Sequence, residues 1–489
     1  MNTEHLVLAI DQGGQSSRVA VYTYEGQQVC VFATPCETML QYDAETGTEL
    51  IEQSPLDILN GIKVCLENIR YFLGENIQHI KAAGFAGQGS SLLCWNNQTG
   101  AALTPVMSWQ DIRGKNYLTE MLEANEFFRD ITGLRLSPHY GASKFRWCLD
   151  NCSDVVHAYK NNQLAMGPIV SYIFWHLLRG NADNKTSLID PGHAQRTLLW
   201  NLHDNAWDDS LLELFNLPKI LLPECKFHNS HFGDLCLEES VIPFTASARD
   251  QGASLFAQGR PDSAAIYINL GTGAFIQCVS DNLRAPDGLL VSPLYLPEQT
   301  DQEKLYAWEA TVNGAASAIS FVENESGLAL TPELLRNLLT LNPQRPCYFL
   351  NAVGGLGAPY WRTDLASHFS PGLLPPEKIL AWVESVIFQI IINLNLMRRE
   401  KMLHKIMISG GLANADGICQ KIADLAGLPV YRNENTDATL QGIACMAAGF
   451  PTRWQTWRDD QVFVAQENTR LKYRFSVWQE AMERWLLSE

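Results

Sequence analysis

Short apolar runs that end in glycine-rich turns punctuate this chain. Leu6-Val7-Leu8-Ala9-Ile10 reads as a buried strand, closed by Asp11-Gln12-Gly13-Gly14-Gln15-Ser16-Ser17-Arg18 and followed by a second apolar run, Val19-Ala20-Val21-Tyr22. That order predicts a hairpin whose turn carries the polar residues. The same order returns in the second half, where Ala265-Ile266-Tyr267-Ile268-Asn269-Leu270 runs into Gly271-Thr272-Gly273-Ala274-Phe275. A weaker third case is Ile406-Met407-Ile408 before Ser409-Gly410-Gly411. Between these landmarks, helical spacing of apolar positions predicts helices over 58–73, 116–130, 144–151, 313–324, 377–398, 416–425 and 439–448. A buried strand is expected at 80–85, a short helix from Arg249 to Ala257, and a terminal helix within 454–487. The stretch 181–203 reads as polar and irregular.

Glycine lets backbone N–H groups approach an oxyanion with no Cβ in the way, and neighbouring hydroxyls add donors. Two such turns facing each other would grip a polyphosphate, which suggests a nucleotide held between two similar α/β domains. The strand-then-turn pattern restarts near Ile242-Pro243-Phe244-Thr245, so the expected domains are 1–247, which carries the first of these turns, and 248–489, which carries the second. A length of 489 residues supports two large domains.

Composition narrows the function classes. A formal net charge of −17 argues against nucleic acid or an anionic membrane as partner. It leaves room for an anionic nucleotide, which needs only a local pocket of donors. The 12 cysteines show no C-x-x-C pair, and Cys148 and Cys152 read as packing, which fits reduced thiols in the cytoplasm. No basic, apolar leader is evident at the N-terminus. The apolar stretch 383–397 is interrupted by Glu384, Gln389, Asn393 and Asn395 and is too polar to be expected to span a bilayer. The P-loop, the dinucleotide G-x-G-x-x-G and the G-x-S-x-G elbow are all missing. His228 and His231 lack a third ligand nearby and read as surface histidines rather than a zinc site.

What remains is a set of carboxylates beside glycine turns. Asp11 serves equally as a turn former or as a residue pointing, through water, at a phosphate-bound Mg²⁺. Asp250, in Ala248-Arg249-Asp250-Gln251-Gly252, is an N-cap or a general base. Thr272 can donate to phosphate and Arg18 can neutralise it, although both also suit ordinary turn and strand positions. Trp109 and Asp111 could form a polyol pocket, with the ring on C–H groups and the carboxylate on O–H groups, or could be a core tryptophan and a helix cap.

In their order along the chain, these segments resemble the FGGY family of carbohydrate kinases, from about residue 6 to residue 450. Asp11-Gln12-Gly13-x-x-Ser16-Ser17-Arg18 is similar to the family's first phosphate loop, and Gly271-Thr272-Gly273-x-Phe275 to the second. Trp109-Gln110-Asp111-x-Arg113 resembles the substrate segment of the glycerol kinase branch. Residues 141–150, Gly-Ala-Ser-Lys-Phe-Arg-Trp-Cys-Leu-Asp, resemble the N-terminal signature. Asp250-Gln251 matches the catalytic pair, and residues 354–361, Gly-Gly-Leu-Gly-Ala-Pro-Tyr-Trp, resemble the start of the C-terminal signature.

The resemblance implies two actin-like, ribonuclease H-like ATPase domains with a cleft between them. It also implies Mg-ATP-dependent phosphorylation of a sugar or polyol hydroxyl, with Asp250 as base. Asp11, Gly13, Gly14, Gln15, Arg18, Gly271, Thr272, Gly314, Gly410 and Gly411 are the implied nucleotide residues. Gln88, Gly89, Ser90, Trp109, Asp111, His139, Asp250, Gln251 and Phe275 are the implied substrate residues. Mg²⁺ would be met by Asp11 and Asp250 through water, and a homodimer is the assembly considered. Glycerol kinases carry an Arg-Glu pair where this chain has Gly89 and Ser90, and a tyrosine where it has His139; Gly14 and Gln15 stand where the family has threonines. The changed pocket is expected to open volume and to favour an acceptor larger than glycerol. The alternatives are a glycerol kinase with a rearranged pocket and a sensor that binds sugar and nucleotide with weak catalysis.

Overall fold

In the computed structural model the described residues are 5–42, 47–179, 186–299, 301–432, 437–454 and 461–487. The chain divides into two compact units. The first comprises Met1–Pro261, Ser292–Tyr306 and Asp437–Thr456, and the second Asp262–Val291, Ala307–Thr436 and Trp457–Glu489. The boundary expected after residue 247 falls inside the first unit, to which the chain also returns near its C-terminal end.

The first unit is built on a seven-stranded sheet. Its strands run in the order Leu178–Arg179, Gly233–Leu237, Ser240–Arg249, Ile80–Gly87, Leu6–Gln12, Ser16–Thr23 and Gln28–Pro35. Leu6–Gln12 is buried on both faces, which explains its unbroken apolar run. It pairs antiparallel with Ser16–Thr23 and parallel with Ile80–Gly87. Helix Pro55–Leu73 covers one part of the sheet; Ser54 caps its N-terminus by accepting the Asp57 N–H at 3.2 Å, and Pro55 stands at the first turn. Helix Ala438–Ala447 packs on Leu6–Gln12 and Ile80–Gly87.

The sheet of the second unit includes, in order, Leu305–Val312, Ala274–Ser280, Ala265–Leu270, Lys405–Ser409, Val430–Arg432 and Gln461–Phe463. Ala265–Leu270 again sits centrally, antiparallel to the strand after its turn and parallel to Lys405–Ser409. The two units thus repeat one topology around their first hairpins.

Helix Pro375–Glu400 is long and apolar enough on composition to cross a membrane, yet most of that stretch is buried within the second unit. Its polar interruptions have packing partners. Glu384, fully buried, accepts from Lys421 Nζ at 3.0 Å and from Arg474 at 2.7 and 2.8 Å. One carboxylate therefore ties this helix to Asp416–Ala426 and to the terminal helix Thr469–Leu486. Trp478 of the terminal helix packs with Phe388 and donates its indole N–H to Phe349 O.

Some expected elements differ in detail. The single helix expected over 116–130 is a 3₁₀ segment, Lys115–Ala124, followed by helix Asn125–Thr132. Ala124 and Asn125 hold the junction without a side-chain cap. The helix expected over 313–324 starts late, as Ala316–Ala318 and Ile319–Ser326, because residues 313–315 form a turn around Gly314. In the stretch expected to be irregular, residues 180–185 lie outside the described set, and Pro191–Gln195 forms a buried helix capped by Asp190.

Removing one member of a buried ion cluster leaves the others charged and unmatched. Glu384→Gln is expected to destabilise the protein by about 3–5 kcal/mol, read as a lowered denaturation midpoint in urea. A change within about 0.5 kcal/mol would show that the cluster does not anchor the terminal helix.

Candidate active site

Asp11 stands near the end of Leu6–Gln12, directly across the hairpin from Arg18. Arg18 donates to Asp11 Oδ2 through Nε at 3.1 Å and through its terminal nitrogen at 2.5 Å, and its other terminal nitrogen reaches Asp437 Oδ1 at 2.6 Å. The turn between them closes by Gly13 N–H donating to Ser16 O at 3.0 Å. Asp250 opens the short helix Asp250–Ser254 at the end of strand Ser240–Arg249, and its Oδ1 accepts the Gln251 N–H at 2.7 Å. Asp11 and Asp437 thus share the Arg18 guanidinium.

Their electrostatics follow from burial. Asp11 is 4% exposed. Desolvation pushes its carboxyl up to about 6; Arg18 opposes the shift, and the negative charges of Asp250 and Asp437 add to it. Burial also raises Asp250, only partly offset by the Gln251 amide and by the positive charges of Arg249, His193 and Arg196.

A second set of residues sits on the loop after strand Ile80–Gly87. Gln88 is buried and donates to Gln12 Oε1 at 3.0 Å and to Gln53 Oε1 at 2.9 Å, while its own oxygen accepts from Ser91 at 2.8 Å. Gln53 in turn donates to Gly14 O at 2.8 Å. These amides lock the glycine turn of the first hairpin to the 87–91 loop. Ser91 Oγ accepts the Trp109 N–H at 3.0 Å, and fully buried Lys144 donates to Ser108 O at 2.8 Å and Ser90 O at 3.5 Å. Burial lowers the Lys144 ammonium to about 7. Trp109 is 44% exposed, and the exposed His139 places Nδ1 3.1 Å from Trp109 O. Gln88, Ser90, Trp109 and His139 therefore form one connected group.

Asp111 does not join that group as an open acceptor. It is fully buried, with Oδ1 accepting from the Arg113 amide and Nε, and Oδ2 from Ile51 N–H and the Arg113 terminal nitrogen. Burial works against its charge, but Arg113 holds the carboxyl below the usual range. Arg113 also pairs with Glu52 at 2.6 Å, so Asp111 is part of a buried ion pair that shapes the loop from beneath. Gln15 is exposed on its turn. The volume expected beside Gly89 is filled, because the stems of Arg249 and Arg196 lie within about 3 Å of where a Cβ would stand.

Two features escape a reading of the sequence. Asp437 reaches Arg18 across 419 residues of chain. Asp190, His193, Ser247 and His228 form a buried network: Asp190 Oδ2 lies 2.6 Å from both His193 Nδ1 and Ser247 Oγ, and His193 Nε2 lies 3.2 Å from Gly87 O. His228, expected at the surface, is 1% exposed; burial lowers it to about 4, and its Nδ1 accepts Leu296 N–H. The spacing of Asp190, His193 and Ser247 offers no local signal, since it becomes a network only through strand Ser240–Arg249.

The second unit gathers its own turns. Gly271 O and Thr272 O accept the Ala316 and Ser317 N–H groups at 3.2 and 3.0 Å. Gly410 has φ +100°, and a Cβ there would lie 2.5 Å from Leu270 O, so only glycine permits this approach of the two strand ends. Gly314 O accepts from Asn351 Nδ2 at 2.9 Å and Trp382 Nε1 at 3.0 Å. Thr272 and Gly411 are exposed, and Phe275 is half-buried on strand Ala274–Ser280.

Family comparison decides the classification of this arrangement. Residues 6–257 match the FGGY family of carbohydrate kinases, N-terminal domain, and residues 266–449 match the C-terminal domain of the same family. The chain belongs to the FGGY family of carbohydrate kinases. The kinase is 28% identical to a glycerol kinase of Agrobacterium fabrum over 98% of its own length and 95% of the relative's. Its fold superposes on the Plasmodium falciparum glycerol kinase solved with ADP, with a TM-score of 0.87 at 22% identity, covering 98% of each chain. It also superposes on the gluconate kinase of Lactobacillus acidophilus, with a TM-score of 0.83 at 19% identity and 99% coverage of each. The architecture is that of the actin-like ATPases, in two α/β domains.

Among the described residues no group of three or more His, Cys, Asp or Glu side chains is placed to hold an ion. Arg18 nevertheless pairs with two carboxylates, Asp11 and Asp437, and burial raises the proton affinity of Asp11. That fits a hydrated divalent cation, which takes few ligands directly from protein and the rest from water and phosphate.

The raised Asp11 carboxyl makes stability pH-dependent. Its folded value, about 6, lies above the ordinary aspartate value, so its contribution is complete at low pH and is lost as pH rises through about 6. Between about pH 5 and pH 7.5, the nucleotide-free kinase should lose about 1.4 kcal/mol relative to Asp11→Asn. Urea midpoints at both pH values measure this; parallel pH profiles would contradict it.

Proposed function

We propose that this kinase transfers the γ-phosphoryl group of ATP to a hydroxyl of a sugar or polyol larger than glycerol, with Asp250 as general base. The observation that carries the reading is the carboxyl of Asp250 at the end of strand Ser240–Arg249. Burial raises its proton affinity, and it shares a neighbourhood with the Asp11–Arg18–Asp437 cluster. A base tuned upward accepts a hydroxyl proton more readily than an ordinary surface aspartate. Use of ATP is supported by the family and by the ADP in the Plasmodium relative.

In the first unit the N–H groups of Gly13 and Gly14 are proposed to meet phosphate oxygens. In the second, Gly271, Thr272, Gly314, Gly410 and Gly411 are proposed to hold the nucleotide. Asp11 and Asp250 would hold Mg²⁺ through water, and the ion would neutralise phosphate charge. Asp250 takes the acceptor proton as the loose phosphoryl transition state forms a bond to that oxygen. Gln88, Ser90, Trp109 and His139 orient the acceptor. The exposed face of Trp109 suits sugar C–H groups, and Ser90 leaves room where a glutamate would stand. With the space at Gly89 filled, the extra room lies on the Ser90 and Trp109 side. Twelve free cysteines fit a reducing, cytoplasmic compartment.

The second reading is a glycerol kinase with a rearranged pocket, favoured by the likeness to the Agrobacterium glycerol kinase. One experiment separates the two: ADP formation across glycerol and four- to seven-carbon polyols, ketoses and aldonates, with wild type and Asp250→Asn. The best acceptor is expected to exceed glycerol in kcat/KM by on the order of tenfold or more. Asp250→Asn should lower kcat by roughly a hundredfold or more with nucleotide affinity little changed. Glycerol giving the highest kcat/KM would establish the second reading, and near-normal turnover of Asp250→Asn would remove Asp250 as base.

A further inference from the structure

We propose that His193 is a positioning residue for phosphoryl transfer: held as an imidazolium between the Asp190 carboxylate and the Gly87 carbonyl, it braces the strand that leads into the acceptor loop against the strand that ends before Asp250. This rests on the reading of residues 88–91 as the acceptor loop and of Asp250 as the base.

The protonation state follows from the bonding. His193 Nδ1 lies 2.6 Å from Asp190 Oδ2, and Nε2 lies 3.2 Å from Gly87 O. A carboxylate and a backbone carbonyl only accept, so both ring nitrogens donate and the ring is cationic. Asp190 stays ionised: burial works against its charge, but His193, His228 and the Ser247 hydroxyl hold its carboxyl well below the usual range. His228 does not take over the charge, since its Nδ1 accepts the Leu296 N–H and its Nε2 stays 3.9 Å from Asp190 Oδ1. Asp190, His193 and Ser247 are fully buried, so water does not replace any of these bonds.

The network joins two strand ends. Gly87 is the last residue of strand Ile80–Gly87, and its register partner in the parallel strand Ser240–Arg249 is Arg249, one residue before Asp250. The C=O of Gly87 and the N–H of Gln88 belong to one planar peptide unit. His193 holds the carbonyl side of that unit, and Gln12 O accepts from its N–H side at 3.1 Å. With both sides pinned, the direction in which residues 88–91 leave the sheet is fixed. At the other end, Ser247 Oγ donates to Asp190 Oδ2 at 2.6 Å, on the strand that delivers Asp250. The backbone N–H of His193 donates to Asp190 Oδ1 at 3.1 Å, so the short helix carrying the ring hangs from the same carboxylate. The path Gly87–His193–Asp190–Ser247 therefore sets where Gln88 and Ser90 stand relative to the base. The charge has a second effect: burial raises the Asp250 carboxyl, and His193 is among the positive charges that oppose the rise.

The test is steady-state kinetics of wild type, His193→Asn and His193→Gln on the best acceptor of the panel. ADP affinity and thermal midpoints are measured alongside, with nitrogen NMR of the histidine rings of the wild type at the assay pH. In reach, an asparagine amide matches the Nδ1 side of the ring and a glutamine amide the Nε2 side, so only glutamine can restore the bond to Gly87. His193→Asn should lower the acceptor kcat/KM by on the order of tenfold or more, the scale of a misplaced reacting group, with ADP affinity within about twofold. His193→Gln should recover most of that loss, whichever variant has the lower thermal midpoint. The wild-type spectrum should contain one histidine ring with both nitrogens protonated and both N–H protons slow to exchange with water, a measurement that needs neither variant to fold. An unchanged acceptor kcat/KM in His193→Asn, equal losses in the two variants, or the lack of such a ring overturns the proposal while leaving the proposed activity intact. A wild type that phosphorylates no acceptor overturns both.

Discussion

Like charges held close together need an external reason to stay there, and this kinase binds two carboxylates, Asp11 and Asp437, to one arginine. Arg18 binds Asp11 and Asp437 at once, and Asp250 lies within their field. Much of the first unit exists to keep them in place. Two central strands end at Asp11 and Asp250, and helix Ala438–Ala447 starts directly after Asp437 and packs on the sheet beneath. Burial is the main reason Asp11 shifts up to about 6; Arg18 opposes the shift, and the nearby Asp250 and Asp437 add a smaller part. A site that prefers added positive charge is suited to a phosphate-bound cation and poorly suited to free polyphosphate.

Around that cluster the amide lattice of Gln12, Gln53 and Gln88 ties the Gly13-Gly14 turn to the loop after Gly87, with no formal charge of its own. Lys144 and the Asp111–Arg113–Glu52 group support the loop from below. In the second unit one carboxylate, Glu384, pairs with two cations from two helices.

How much of this is legible in the chain depends on sequence distance. The hairpin bearing Asp11 and Arg18 is local, and alternation plus glycine shows it directly; the same holds for Gly271 to Phe275. Asp250 stands out because it follows a strand and opens a helix. Asp437 does not, since its partner is 419 residues away and Asn-Glu-Asn-Thr-Asp resembles any polar loop. Asp111 reads as a pocket acceptor until Arg113, two residues on, and Ile51, from another strand, are seen to use both its oxygens. Gly89 looks like vacated space because the stems that fill it come from residues 196 and 249. Local pattern reveals strands, turns and strand-end chemistry; charge pairing across the fold and the filling of space require tertiary placement.

The central claim is that the carboxylate cluster is poised to receive a cation with the nucleotide, and proton counting tests it most directly. Calorimetry of Mg-ADP binding near pH 6, in two buffers of different ionisation enthalpy, reports protons released on binding. Asp11, half-protonated near that pH, should ionise when positive charge arrives, releasing roughly half a proton that Asp11→Asn does not release. Equal proton release by wild type and Asp11→Asn would contradict the account.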